Sequence, residues 1–123
     1  MKRTTYIIYI ALLAFMSCDN ASENDLTEPV IIDPTVSVTY TDNIKTIIDN
    51  NCIGCHSNPP VNGASTPLIT YDNVKDRVNN NNLIPRISAQ AGEAGAMPLG
   101  GPRMPQNLID LVVQWQADGL LED

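Results

Sequence analysis

The spacing of apolar residues changes along this chain and divides it into segments. From Tyr6 to Met16 the run is apolar and uncharged, and Lys2 and Arg3 precede it. Val36-Ser37-Val38-Thr39-Tyr40 alternates with period two, as in a short strand or an extended lead-in. Ile44, Ile47 and Ile48 then recur at spacings of three and four, which predicts a helix capped by Thr41 or Asp42 and running through Asn50. Ser57-Asn58-Pro59-Pro60 cannot continue a helix and opens a loop to about Thr70. Thr70 caps a second predicted helix with Tyr71, Val74 and Val78 facing inward. Asn79 to Asn82 reads as a turn, and Leu83 to Ile87 as another short helical turn. Ser88 to Gly101 is a small-residue, glycine-rich loop. The last helix carries the clearest signal: Pro105 suits its first turn, Leu108, Leu111, Val112 and Trp115 form one stripe, and Gly119 stands at the C-terminal cap. The prediction is an all-α fold of three to five short helices, with the first and last packed together.

The N-terminal run is too short for a membrane-spanning helix and has the profile of a signal peptide. It ends at Phe15-Met16-Ser17-Cys18, which resembles the lipobox of bacterial lipoproteins; an ordinary secretory signal is the alternative. On the lipobox reading, residues 1–17 are removed, Cys18 is lipidated, residues 18–37 form an acidic tether interrupted by Pro29 and Pro34, and residues 38–123 form the domain. Processing takes away Lys2 and Arg3 and no acid, leaving 5 basic and 14 acidic residues in 106, a formal charge of −9. Such a surface argues against nucleic acid and favours encounter with basic partners. Aromatic residues make up only 5% of the chain, so its core is poor in large side chains unless a bound group fills its centre.

Candidate chemistry is concentrated in Cys52-Ile53-Gly54-Cys55-His56. Cys-x-x-Cys-His is the attachment sequence of a c-type haem: the two thiols form thioethers to the porphyrin, and the histidine ligates the iron. His56 is the only histidine, and the third cysteine is Cys18. A structural zinc site wants four nitrogen or sulfur ligands, which the domain lacks. A thioredoxin-like pair wants a βαβ frame that the helical pattern does not provide; a short disulfide is a further alternative.

With one histidine, the other axial ligand must come from elsewhere. Met97, in the glycine-rich loop and followed by Pro98, is the first candidate, and Met104, just before the last helix, is the alternative. The other ring nitrogen of His56 needs an acceptor, for which a backbone carbonyl within Ser57–Pro60 is the candidate. Arg86 reads as a solvated surface residue or as a partner for a haem propionate.

Tyr40-Thr41-Asp42-Asn43-Ile44, the Cys52–His56 motif, Met97-Pro98-Leu99-Gly100-Gly101 and the stretch from Trp115 to Gly119 occur in that order. Together they resemble the small class I-like cytochrome c domains of bacterial envelope lipoproteins, related to planctomycete-type cytochrome c modules. Leu99 stands where members of that family often have a second proline. The resemblance implies a small cytochrome c-like fold with its helices around one covalently bound haem c. It also implies electron transfer without a substrate, redox partner proteins, and an extracytoplasmic place at the periplasmic face or the cell surface. It favours Met97 over Met104 as the ligand. Two other readings stand beside the electron carrier: a gas-binding or sensory haem module with a displaceable sixth ligand, and an electron-transfer subunit of a larger redox enzyme.

Overall fold

A computed structural model of the chain describes residues 36–80 and 82–123, so the signal segment, Cys18 and nearly all of the expected tether lie outside the described residues. Among the described residues the protein is all-helical, with no strand, and no helix is long and apolar enough to cross a membrane.

The first helical segment begins two residues earlier than its pattern predicts. A π-helical turn, Tyr40–Ile44, runs directly into α1 (Lys45–Asn51). Thr39, and neither Thr41 nor Asp42, is the cap: its hydroxyl accepts from the Asp42 amide at 3.3 Å, while the Asn43 side-chain oxygen accepts from the Thr39 amide at 3.0 Å. This reciprocal exchange satisfies two backbone donors at once and outcompetes a single later cap. Tyr40 is thereby drawn into the core, and the isoleucines at 44, 47 and 48 are all buried, as their spacing predicts.

The extended lead-in does not form a strand. It makes one isolated parallel bridge, Thr39 to Leu121, with the Tyr40 amide donating to the Leu121 carbonyl at 2.9 Å and the Thr41 amide to that of Glu122 at 2.9 Å. Asp118 Oδ2 accepts from the Val38 amide at 2.7 Å. The two ends of the domain are therefore clasped together.

Helix α2 (Tyr71–Asn79) is capped by Thr70, whose hydroxyl accepts from the Asn73 amide, and it buries Val74 and Val78 completely. Helix α3 (Leu83–Ser88) buries Leu83 and Ile87. Helix α4 (Gln106–Ala117) starts immediately after Pro105. Its buried stripe is Ile109, Val112 and Trp115, with Leu108 and Leu111 half-buried beside it, so the inward face is rotated slightly from the predicted one. After α4, Gly119 takes a positive φ of 93°, and the Leu120 amide returns to the Trp115 carbonyl at 2.9 Å.

The π-helical turn and α4 pack together, and Tyr40, Tyr71 and Trp115 form an aromatic cluster with ring centroids 5.5–6.2 Å apart. The polar ends of this cluster are satisfied: Trp115 Nε1 donates to the Leu121 carbonyl at 2.7 Å, and the Tyr71 hydroxyl donates to that of Leu120 at 2.8 Å. The cluster fixes the clasped end of the domain. The Cys52–His56 segment emerges at the far end of α1.

Candidate functional site

The motif continues the winding of α1 rather than breaking away from it. The Cys52 amide donates to the Ile48 carbonyl at 2.8 Å, and the Cys55 and His56 amides turn back to the Cys52 carbonyl at 3.1 and 2.9 Å. Residues 52 and 55 therefore sit about one turn apart, with His56 directly after. The chain then loops outward through the two prolines and returns: the Val61 amide donates to the Cys55 carbonyl, and the buried Leu68 donates to the His56 carbonyl at 2.8 Å.

That return supplies the second partner of the histidine. His56 Nδ1 lies 2.6 Å from the Thr66 carbonyl oxygen, ten residues on, and not against a carbonyl of Ser57–Pro60 as the sequence suggests. The nearer residues are turned on themselves, with the Ser57 hydroxyl donating to the Pro59 carbonyl at 2.9 Å. Because a carbonyl can only accept, Nδ1 carries the proton, so in the neutral imidazole the lone pair lies on Nε2. This is the arrangement of a ligating histidine.

Cys52, Cys55 and His56 all line one cavity of about 580 Å³, within the range of small-molecule and cofactor sites. The loop after α3 and the entry to α4 also line it, and they bring both Met97 and Met104 to the same cavity. Met104 is buried in the core, whereas Met97 is half-buried and packs against the core's edge. The sequence alternatives thus meet at one site, with Met104 a core residue that also has a face on the cavity.

Cys52 and Cys55 are free thiols, the first half-buried and the second exposed. Burial pushes the Cys52 thiol up to about 11, so at neutral pH it is a protonated, weakly nucleophilic group. That is unlike the activated thiol of a redox-exchange pair, whose pKa is lowered. Among the described residues, no three His, Cys, Asp or Glu side chains converge as they would around a structural zinc.

The loop that presents Met97 is built from successive turns held by arginines. Arg86 accepts from the Met97 amide through its carbonyl at 2.9 Å, and its guanidinium donates to the Gly95 carbonyl at 3.2 Å and to Asn82 Oδ1 at 3.1 Å. Arg103 Nε donates to the Ser88 carbonyl at 2.8 Å. Arg86 is therefore more than a solvated surface charge: it grips the backbone on both sides of Ala96. It also borders the cavity, together with Arg77 from α2. Among the described residues no carboxylate lines the cavity, although the chain holds 14 acidic residues against 7 basic ones.

Two features of this site escape the sequence reading. The Thr66 carbonyl has no side-chain signature and becomes relevant only because the loop folds back. Arg77 could have been noticed: it lies three residues after Val74 and beside Val78, at the margin of the helix face that the valines bury.

The chain has no match among family models, curated proteins or solved structures.

Proposed function

We propose that this chain is a monohaem c-type cytochrome that carries single electrons, tethered to the cell envelope through a lipid on Cys18. The observation that carries this reading is the hydrogen bond from His56 Nδ1 to the Thr66 carbonyl, which leaves Nε2 as the ligating nitrogen beside two free thiols on one cavity wall.

The donor set fits the group. When bound, haem c supplies an iron that changes oxidation state by one electron. Cys52 and Cys55 would hold it through thioethers, His56 would supply a nitrogen ligand to the iron, and Met97, with Met104 as the alternative, a sulfur ligand. The chain's own residues fix the site. The Thr66 carbonyl holds the imidazole's proton and orientation, and Leu68, Leu83 and Ile87 give the cavity apolar walls that exclude water. The backbone contacts of Arg86 hold the Met97 loop in place. No proton transfer is required of any of them. The acidic surface of the chain suits redox partner proteins with basic docking surfaces, met in short-lived encounters.

Intact-mass measurement after expression in a host competent for haem attachment tests the reading. The expected product is the chain plus one haem, with Cys52 and Cys55 consumed. A chain that lacks the prosthetic group and keeps both thiols overturns it. An optical spectrum then separates carrier from sensor: a low-spin ferrous form indifferent to carbon monoxide supports the carrier, and prompt binding favours the gas-sensing reading.

A further inference from the structure

The loop that carries Met97 is closed at its base. Ser88 ends α3, Arg103 stands just before α4, and the Ser88 carbonyl accepts from Arg103 Nε at 2.8 Å. The stretch between them is held mainly by its own turns: the Glu93, Ala96 and Gly101 amides donate to the carbonyls of Gln90, Glu93 and Pro98, each at 3.1 Å. From Gln90 to Pro102 only Ala96 is buried. Among the described residues, hydrogen bonds tie this stretch to the rest of the domain only at Arg86, through the Met97 amide and the Gly95 carbonyl. A compact surface loop with joined ends and little buried area is the kind of unit that opens locally, ahead of the core.

Arg103 is half-buried, and its guanidinium reaches two elements at once. While Nε holds the end of α3, Nη2 donates to Gln106 Oε1 at 2.6 Å in the first turn of α4. The Gln106 amide is itself oriented, because its Nε2 donates to Asp110 Oδ1 at 2.7 Å one turn further on. A carboxylate only accepts, so Asp110 takes the amide nitrogen and leaves the amide oxygen facing Arg103. A chain of hydrogen bonds thus runs from α4 through Arg103 to the last residue of α3, where carbonyls lack helical partners and a cation is favourable.

We propose that Arg103, set in place by Gln106 and Asp110, is the latch of the Met97 loop, and that its release is the step that frees Met97 for replacement by an outside ligand. This rests on the haem reading above, with Met97 on the iron. In the exchange the Met97 thioether departs with its lone pair and an imidazole nitrogen takes its place, with no change in oxidation state. Arg103 is then a positioning residue that acts on Met97 through the loop. It sets how far the site behaves as a closed carrier or as an open, ligand-binding one.

The test uses the matured ferric holoprotein with imidazole as the probe, and its Arg103→Gln, Gln106→Ala and doubly substituted variants. At saturating imidazole the rate is limited by loop opening, and hydrogen exchange of the Met97 amide reports the same opening with no ligand added. Hydrogen bonds from charged donors are among the stronger ones, so Arg103→Gln is expected to raise both about tenfold. Gln106→Ala should raise both by a smaller factor, and the double variant should match Arg103→Gln alone, because the two residues act in one chain. The amides of Val112 and Trp115, buried in α4, should exchange as in the parent, whereas a purely structural role for Arg103 would speed them too.

An Arg103→Gln variant that leaves either the limiting rate or the Met97 exchange at the parent value overturns the proposal, as does an equal acceleration of the α4 amides. If Arg103→Gln does not mature, an unmoved Met97 amide in Gln106→Ala overturns it just as well. A parent rate that climbs with imidazole without limit also overturns it, since no loop then opens first. A parent chain that gains no haem mass defeats the functional reading itself, whereas a haem-loaded parent with indifferent Arg103 variants defeats only the latch.

Discussion

Replacing each cavity methionine by alanine separates a ligand from a packing residue, because the two differ in burial. Met104 is 4% exposed and lies within the continuous core, whereas Met97 is half-buried at its edge. Truncating a buried methionine costs about 2–5 kcal/mol, from lost transfer energy and the void left behind. Met104→Ala should therefore lose about 3 kcal/mol, a large share of the roughly 5–15 kcal/mol that holds a small domain together. With urea slopes of about 1–3 kcal/mol per molar, the unfolding midpoint should fall by about 1–3 M. Packing at Met97 contributes less, since that residue is only half-buried against the core and lines the cavity. In the haem-loaded protein, Met97→Ala should instead abolish the sulfur-to-iron charge-transfer band and lower the reduction potential, while Met104→Ala keeps both. Urea unfolding followed by circular dichroism, together with the ferric optical spectrum, measures the two effects independently. If the band survives Met97→Ala and vanishes with Met104→Ala, the ligand assignment is reversed. A stability loss below about 1 kcal/mol for Met104→Ala would refute the packing argument.

Removing the α2 cap with Thr70→Ala should cost about 1 kcal/mol by urea unfolding, and a loss near zero would mean that the Asn73 amide finds water instead. Arg86→Ala releases the carbonyl of Gly95, a neutral-acceptor contact that contributes about 0.5–1.5 kcal/mol. On the haem reading, the Met97 band should then disappear on alkaline titration up to about one pH unit earlier than in the parent; an unmoved midpoint removes Arg86 from the support of that loop. In folded chain recovered before haem attachment, the Cys52 thiol, pushed up to about 11 from an ordinary 9.0, holds about 100-fold less thiolate at pH 8 than an unperturbed cysteine. Iodoacetamide should therefore modify Cys55 first, and Cys52 reactivity should keep climbing with pH through 10 and toward 11; equal rates at pH 8 would contradict the burial of Cys52.

The sequence made the helices legible wherever local chemistry and burial agree. Thr70 with Val74 and Val78, and Pro105 with Val112 and Trp115, each combine a start signal with a helical stripe, and each marks a helix that forms, the last with its buried face turned to take in Ile109. The start of the first helix was misread because its cap is decided by a backbone exchange between Thr39 and Asn43, and by the return of Leu121 and Glu122 from the far end of the chain. Contacts between residues some 80 positions apart leave no local trace. The same distinction governs the site. Cys52, Cys55, His56, Met97 and Met104 declare themselves by residue type, and the fold brings all five to one cavity. The acceptor for His56 is a backbone carbonyl, an atom every residue possesses, so only the path of the loop selects Thr66. Arg86 is legible as a charge but not as a staple, because its partners are again carbonyls and an asparagine across a turn.

The placement of the aromatic residues connects the fold to the cavity. Tyr40, Tyr71 and Trp115 are the only aromatic side chains after Phe15, and all three gather at the clasp between the chain ends. None of them lines the cavity. Large aromatic side chains are the densest source of buried area in a small domain, and here they are spent on joining the π-helical turn to α2 and α4. The apolar part of the cavity's lining is aliphatic and sulfur, Leu68, Leu83 and Ile87 beside Met97 and Met104, with Arg77, Arg86 and several asparagines completing it. A domain of this size buries a modest fraction of its surface, so an open volume of about 580 Å³ against its core forfeits contacts that a bound apolar group would restore. The division is physically coherent. One end of the domain is closed by its own aromatic residues, and the other holds the cavity that, on the haem reading, a ring would complete.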